Sequence, residues 1–436
     1  MITRIEATNY RCFSRLNIDL GELRILAGAN GSGKTTLLDI PSLLGDLLKA
    51  SMLGTAFLTA TQPRGPRAST FTELVHQGLG DWFILAVEAA LPDDIVTTLL
   101  DSASDTVRQN PELWPRFVRY ELRLEIFNQR ELQVKNEYLF VFSEKHAPQR
   151  DAADATAPRL HGEINPNKNW LFVLKREYGE PLKLRAEAKE PGKPRRADAR
   201  STLVAIDLLA LGKVRFESRQ FFPASRWMLD LLTMDTVFFD PVWRDLRQPS
   251  PPGLPPELAA DGRNIPWLAL RLQKENPEVF ETWTEHVRIA LPQVTKIELI
   301  EREEDHHAYF RVTYNDHYSV TSSGLSDGTI RILALTLLPY LPSPPKILIV
   351  EEPEDGLHPR AIEAVLQGLS SLHDSQVLVS SHSPIVVAQV PLDQLLAARL
   401  QRDGTAEIVA GAEHPRLVDW KGEVDLGTLF AAGVLG

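Results

Sequence analysis

Gly28-Ala29-Asn30-Gly31-Ser32-Gly33-Lys34-Thr35 fits the pattern G-x-x-x-x-G-K-[ST]. The chemistry of that pattern is direct. Small residues let the backbone fold tightly, so successive N–H groups turn inward onto phosphate oxygens. Lys34 then reaches the β- and γ-phosphates of a nucleoside triphosphate, and the Thr35 hydroxyl ligates Mg²⁺. Asn30, Gly31, Ser32, Gly33, Lys34, Thr35 and Thr36 form the candidate nucleotide-binding set. The competing reading is a flexible glycine linker. The flanks weigh against it: Leu23-Arg24-Ile25-Leu26-Ala27 reads as a strand and Thr35 to Ile40 as the start of an amphipathic helix. Arg11 is close in sequence, and either touches phosphate or nucleobase or is an ordinary surface arginine.

Further residues with chemistry lie near the other end of the chain. The apolar run Lys346 to Val350 ends in Glu351-Glu352. Paired carboxylates at the C-terminal end of a buried strand sit where open α/β sheets bind ligands. One can hold the Mg²⁺ shell and the next can orient an attacking water; an N-capping acid pair is the alternative. Glu354-Asp355-Gly356-Leu357-His358-Pro359 follows. Ser326, Asp327 and Gly328 lie in Leu325-Ser326-Asp327-Gly328-Thr329, ahead of a helix expected from Gly328 to Tyr340. A serine and a glycine at a helix N-terminus can hold an anion, although Ser-Asp-Gly also makes ordinary turns. His382 follows the buried strand Gln376 to Ser380, where a lone histidine is more often structural. His306, His307 and His317 lack an acid or cysteine at a standard ligand spacing, so no metal site is expected there.

The elements that must position these groups are of α/β type. Residues 321–436 alternate helix and strand, as a parallel sheet requires, with a helix expected from Pro359 to Leu372. Residues 1–27 read as two strands feeding the strand before the glycine loop. Phe83 to Val87, Tyr120 to Ile126 and Leu132 to Phe142 read as an antiparallel meander, and Trp170 to Leu174 with Leu182 to Arg185 as a hairpin. Residues 201–290 read as mostly helical, with Ser201 to Leu211, Ala224 to Met234, Ile265 to Lys274 and Pro277 to Leu291 as the helices. Trp267, Leu270, Trp283 and Val287 are expected in the core.

Bulk properties bound the answer. The chain has 436 residues, 43% hydrophobic and 24% charged, with a net charge of −11. A uniformly basic nucleic-acid binder is excluded, although a local basic groove is not. Residues 183–200 hold Lys183, Arg185, Lys189, Lys193, Arg195, Arg196 and Arg200 against Glu187, Glu190 and Asp198. This run is either a nucleic-acid contact or a solvated charge run, and no aromatic residue is interleaved for base stacking. No apolar run approaches membrane-spanning length, Met1 to Glu6 lack a signal-peptide core, and Cys12 is the single cysteine. These features fit a cytoplasmic protein without a membrane segment.

The order of motifs resembles an ABC-type ATPase head. More narrowly, Asn9-Tyr10-Arg11-Cys12-Phe13, the Asn30 to Lys34 loop and Glu351-Glu352-Pro353-Glu354…Leu357-His358-Pro359 are similar to the branch of RecF, structural-maintenance-of-chromosomes heads and overcoming-lysogenization-defect nucleases. The resemblance is strong over residues 1–40 and 321–390. It implies a P-loop parallel core sheet, an N-terminal antiparallel β subdomain and an inserted helical and β lobe, divided at 1–142, 143–320 and 321–436. It implies ATP and Mg²⁺ as ligands, Glu351 in the metal shell with Thr35, Glu352 as catalytic base and His382 as the switch histidine. Asp355 falls in the D-loop. Ser326, Asp327 and Gly328 form the signature that meets the γ-phosphate of an opposite subunit, so a homodimer closed on ATP is implied. Gln77 is the candidate for the Q-loop glutamine.

About 54 residues follow His382, without the length or Asp-x-Asp pattern of a Toprim nuclease domain. Three functions compete on this reading: an antiphage-defence ATPase controlling a separately encoded effector, a DNA-binding repair ATPase, and a transporter nucleotide-binding subunit. The long β and basic insertions disfavour the last.

Overall fold

The computed structural model describes residues 1–60, 63–149, 160–164, 167–188, 204–213, 221–417, 420 and 424–435. Ile2–Tyr10 (β1) and Phe13–Asp19 (β2) pair antiparallel, with Ile5, Ala7, Leu16 and Ile18 buried. Leu23–Gly28 (β3) leaves this pair for a different sheet and runs through the glycine loop into α1, Lys34–Lys49. Pro41 sits inside α1. A proline there gives up a helix hydrogen bond and costs about 3 kcal/mol. Burial of Leu37, Leu38, Ile40, Leu43, Leu44, Leu47 and Leu48 offsets this, at about 1.5–3 kcal/mol for each side chain fully removed from water.

Trp82–Ala90 (β4), Phe117–Phe127 (β5), Glu131–Phe142 (β6), Leu171–Glu177 (β7) and Lys183–Leu184 (β8) extend the first pair. The resulting antiparallel sheet has the order β2-β1-β4-β5-β6-β7-β8, so the expected meander and hairpin are parts of one sheet. Pro223–Thr233 (α2) packs on α1 and leads into Thr236–Phe239 (β9). Ile265–Glu275 (α3) and Pro277–Ala290 (α4) follow, with Trp283, Leu270 and Val287 buried and Trp267 partly so. Val294–Glu301 (β10), Ala308–Tyr314 (β11) and Tyr318–Thr321 (β12) make a small antiparallel sheet.

The remainder alternates as expected: Asp327–Leu337 (α5), Ile347–Glu351 (β13), Pro359–Ser370 (α6), Gln376–Ser381 (β14), Leu395–Leu400 (β15) and Ala406–Ala410 (β16). The third sheet has the order β16-β15-β3-β14-β13-β9 and is parallel except for β16. The middles of its central strands β3, β14 and β13 are apolar and buried because both faces are covered there. Leu26, Ile347, Ile349 and Leu378 face a core shared with α1 and the antiparallel sheet. Ile25, Leu348, Val350, Val377 and Val379 face a second core built with α3, α4, α5 and α6.

One side chain joins the two large sheets. Gln376, at the start of β14, accepts from the Ile2 N–H at 2.9 Å and donates to the carbonyls of Ile2 and Gly21. The reading of 201–290 as helical is corrected at two places. Thr236–Phe239 is an edge strand of the parallel sheet, and the only helix described in 204–213 is the short turn Ala210–Lys213. The β-branched and aromatic character of Thr-Val-Phe-Phe favours extended backbone, and pairing with β13 decides it. Residues 201–203 of the expected helix, and residues 189–200 of the basic run, lie outside the described residues.

Candidate functional site

Register places the candidate site. β3, β14 and β13 are neighbours, with Ala27 opposite Ser381 and Ser380 opposite Glu351. Their C-terminal ends therefore share one edge of the sheet. The glycine loop leaves the first strand, His382 the second and Glu352 the third. At about 4.8 Å between strands, groups leaving the outer two stand about 10 Å apart at the backbone, within reach of long side chains.

The glycine loop is held from the side by the β1–β2 turn. Gly33 is left-handed, with φ +91°, and a β-carbon there would stand 2.9 Å from Ala406 Cβ and 3.1 Å from Cys12 Sγ. Cys12 also lies beside Thr36. Lys34 is buried and donates to the carbonyls of Gly28 at 2.8 Å and Ala29 at 3.0 Å. Burial lowers its pKa, against the pull of the carboxylates of Glu352, Glu351 and Glu354. The hydroxyl of Ser32 is buried with no hydrogen-bond partner among the described residues. A buried, unmatched hydroxyl in a glycine loop that leads into a helix N-terminus suits a phosphate oxygen.

The Thr35 hydroxyl lies close enough to Glu351 to favour its ionised form. Burial pushes the Glu351 carboxyl up. The Thr35 hydroxyl and the charge of Arg64 oppose that, while Asp240 and Glu352 add to it. Two hard oxygen donors side by side, one of them a carboxylate, fit a Mg²⁺ ion that keeps most of its waters.

Glu352 follows β13 in a left-handed conformation, φ +44°, and its N–H still pairs with the Ser380 carbonyl at 3.0 Å. That turn aims the side chain across the sheet edge. Its Oε1 stands 3.2 Å from His382 Nδ1. Donor atoms of Glu352, Asp355 and His382 all lie within 4.8 Å of one another. An imidazole beside a partly exposed carboxylate can orient it and share its proton.

The structure thus brings together Lys34, Thr35, Glu351, Glu352, Asp355 and His382. It places the other candidates elsewhere. Ser326 caps α5, accepting from the Thr329 N–H at 3.1 Å. Asp327 pairs with Arg247 at 2.7 Å, and a β-carbon on Gly328 would lie 3.2 Å from the Gly356 carbonyl. The Arg11 N–H donates to the Leu74 carbonyl, and the Arg11 carbonyl contacts His76 Nδ1. Gln77 donates to the Asp403 carbonyl in the β15–β16 turn. His306 and His307 stand against Glu301 and Asp305 on the β10–β11 turn. Lys183 pairs with Glu180, and Arg185 is exposed.

Three residues at the site escaped the sequence reading. Arg64 lies beside Glu351, pairs with Asp39 at 2.6 Å and covers the Phe238 ring. Asp240 follows β9, the strand that was missed. Glu354, one acid in an acidic run of the sequence, is buried against Ser381 and His382. The short Thr-Val-Phe-Phe run ending in Asp240-Pro241 was the available signal for the second.

No curated protein sequence matches the chain. Among solved structures the chain is similar to an Smc head bound to the C-winged helix domain of ScpA, with 13% identity over 94% of this chain and 97% of that one, at a TM-score of 0.49. It is also similar to an Smc head with an extended coiled coil, bound to the C-terminal domain of ScpA derived from Pyrococcus furiosus. There the identity is 12% over 94% and 95% of the chains, with a TM-score of 0.47. A third is the SMC head domain from Thermotoga maritima, with 12% identity over 94% and 98% and a TM-score of 0.39. Residues 238–388 match the family described as "AAA domain, putative AbiEii toxin, Type IV TA system". That segment holds β13, β14, Glu351, Glu352 and His382, and over it the chain is similar to AAA-domain ATPases.

Proposed function

We propose that the chain binds ATP with Mg²⁺ and hydrolyses it to ADP and phosphate. The carrying observation is the shared edge of β3, β14 and β13, where Lys34 and Thr35, His382, and Glu351 with Glu352 converge. The AAA-domain match over residues 238–388 supports the same reading.

The residues divide the work by their chemistry. Backbone N–H groups of Asn30 to Thr36 and the Lys34 ammonium hold the phosphates. Thr35 and Glu351 would hold Mg²⁺, which, when bound, neutralises charge on the β- and γ-phosphate oxygens. Glu352 accepts the proton of the attacking water at its carboxylate, a role worth typically 10²–10⁴-fold in rate. His382 holds that carboxylate in place through Nδ1 and reaches toward the γ-phosphate side.

In this reading one chain carries half of each site. Ser326, Asp327 and Gly328 of a second copy close on the γ-phosphate, with Asp355 at the junction, so ATP draws two copies into a two-fold dimer. The dimer controls a separately encoded effector in bacterial antiphage defence.

The test is phosphate release by the wild-type chain and by Lys34→Ala and Glu352→Gln, with and without duplex DNA at low salt. Turnover lost in both variants and indifferent to DNA supports the proposal. DNA-stimulated turnover favours a repair ATPase. Unchanged ATP affinity in Lys34→Ala overturns the assignment of the loop.

A further inference from the structure

Glu352 and His382 form the pair on which hydrolysis rests in the reading above, yet neither is fixed by its own surroundings. Their side chains are 30% and 44% exposed. The group that ties their two segments together is Glu354. It sits in the turn after β13, 7% exposed, and reaches across to the end of β14. Its Oε1 accepts from the Ser381 hydroxyl and from the His382 N–H at 3.3 Å. Ser381 Oγ in turn accepts from the Ser383 N–H at 3.0 Å. The same Oε1 stands 4.0 Å from His382 Nδ1. The second oxygen, Oε2, is buried with no hydrogen-bond partner among the described residues.

A carboxylate buried in this way is costly to keep, because it loses hydration and one of its oxygens has no hydrogen-bond partner among the described residues. Packing alone would be served as well by an apolar side chain of similar volume. What only an acceptor supplies is the bond to the His382 N–H, which fixes the backbone from which the imidazole projects toward Glu352. We propose that Glu354 is a positioning residue for hydrolysis: it clamps the Ser381–His382 segment to the Glu352 turn and so sets the contact between Glu352 and His382. This inference rests on the assignment of those two residues to the hydrolytic step. A displacement of about 1 Å at such a pair costs on the order of 100-fold in rate.

The experiment compares Glu354→Ala, Glu354→Gln and Glu354→Asp for ATP affinity and for kcat. Glu354→Ala is expected to bind ATP as the wild type does, with kcat down about 100-fold. Glu354→Gln keeps an acceptor oxygen at the same reach and is expected to recover most of kcat. Glu354→Asp is one methylene shorter and is expected to fall between the two; it serves if the alanine variant does not fold. Wild-type kcat in Glu354→Ala or Glu354→Asp overturns the proposal, as does a glutamine variant as slow as the alanine one. Glu352→Gln run alongside separates the two claims. If it is inactive while Glu354→Ala is unimpaired, only the positioning role falls; if it turns over normally, the assignment of the base itself has failed.

Discussion

Glu352 and His382 directly follow different strands, 30 positions apart in sequence, yet Oε1 of one meets Nδ1 of the other at 3.2 Å. The contact exists because β13 and β14 are parallel neighbours in a register that ends both at the same edge. Residues acting as one unit are not additive when removed. Glu352→Gln is therefore expected to slow hydrolysis by 10²–10⁴-fold and to hold ATP without turnover. His382→Ala should lose a large part of the same factor, and the double variant little more than the worse single one. Single-turnover hydrolysis measured in all three checks this; additive losses would separate the two residues.

Gly33 and Gly31 differ in a way that substitution can expose. Both have positive φ, but a β-carbon on Gly31 meets nothing within 4 Å, whereas one on Gly33 runs into Ala406, Cys12 and Phe13. Gly31→Ala should cost only the left-handed strain of about 1–2 kcal/mol. Gly33→Ala should add an overpacking cost of about 1–3 kcal/mol and displace the loop from the β1–β2 turn. Urea denaturation together with ATP affinity distinguishes them: the Gly33 variant is expected to lose both, the Gly31 variant mainly some stability.

Asp39, buried on α1, is held by Arg64 and Arg67. Burial alone would raise its carboxyl; the hydrogen bond and charge of Arg67, then Arg64, win and hold it below the usual carboxylate value. A folded-state pKa below the unfolded one means stability that is present above about pH 4 and lost as pH falls through the folded value. Asp39→Asn leaves two arginines beside a neutral group and is expected to cost about 3–5 kcal/mol at pH 7. The gap between wild type and variant in denaturation midpoints should narrow as pH falls from 5 toward 2. A constant gap would mean the charge is not what matters.

Ser326 offers a separation of structure from function. As the N-cap of α5 it contributes about 1 kcal/mol, and aspartate caps a helix as well as serine does. Ser326→Asp should therefore keep the melting temperature while placing a negative charge where the proposal puts a partner's γ-phosphate. Stability retained and turnover lost is the expected result; turnover retained would remove Ser326 from the site.

Much of this site was legible before any coordinates. The glycine loop, the apolar runs at β13 and β14, and the carboxylates and histidine at their ends are local signals. Strand identity there follows from continuous burial on both faces. Thr236–Phe239 was not legible, because four extended residues among helix-like spacings become a strand only through β13. The role of Glu354 was hidden for a related reason: its partners Ser381 and His382 lie 27 and 28 positions away, and only the register of β13 on β14 brings them together. The separation of β1 and β2 from β3 into different sheets was equally non-local, and Gln376 adds a side-chain bridge to the core those sheets share.

The central claim is that each ATP site takes its P-loop from one copy and its signature from another. Mixing Lys34→Ala with Ser326→Asp tests it most directly. Each variant alone is expected to be inactive, because every site it forms carries a defect. A mixed pair contains one site with an intact Lys34 and an intact opposite Ser326. ATP hydrolysis should therefore reappear on mixing, in proportion to the hybrid formed. A mixture no more active than its separate components, or wild-type turnover by Ser326→Asp alone, would contradict the claim.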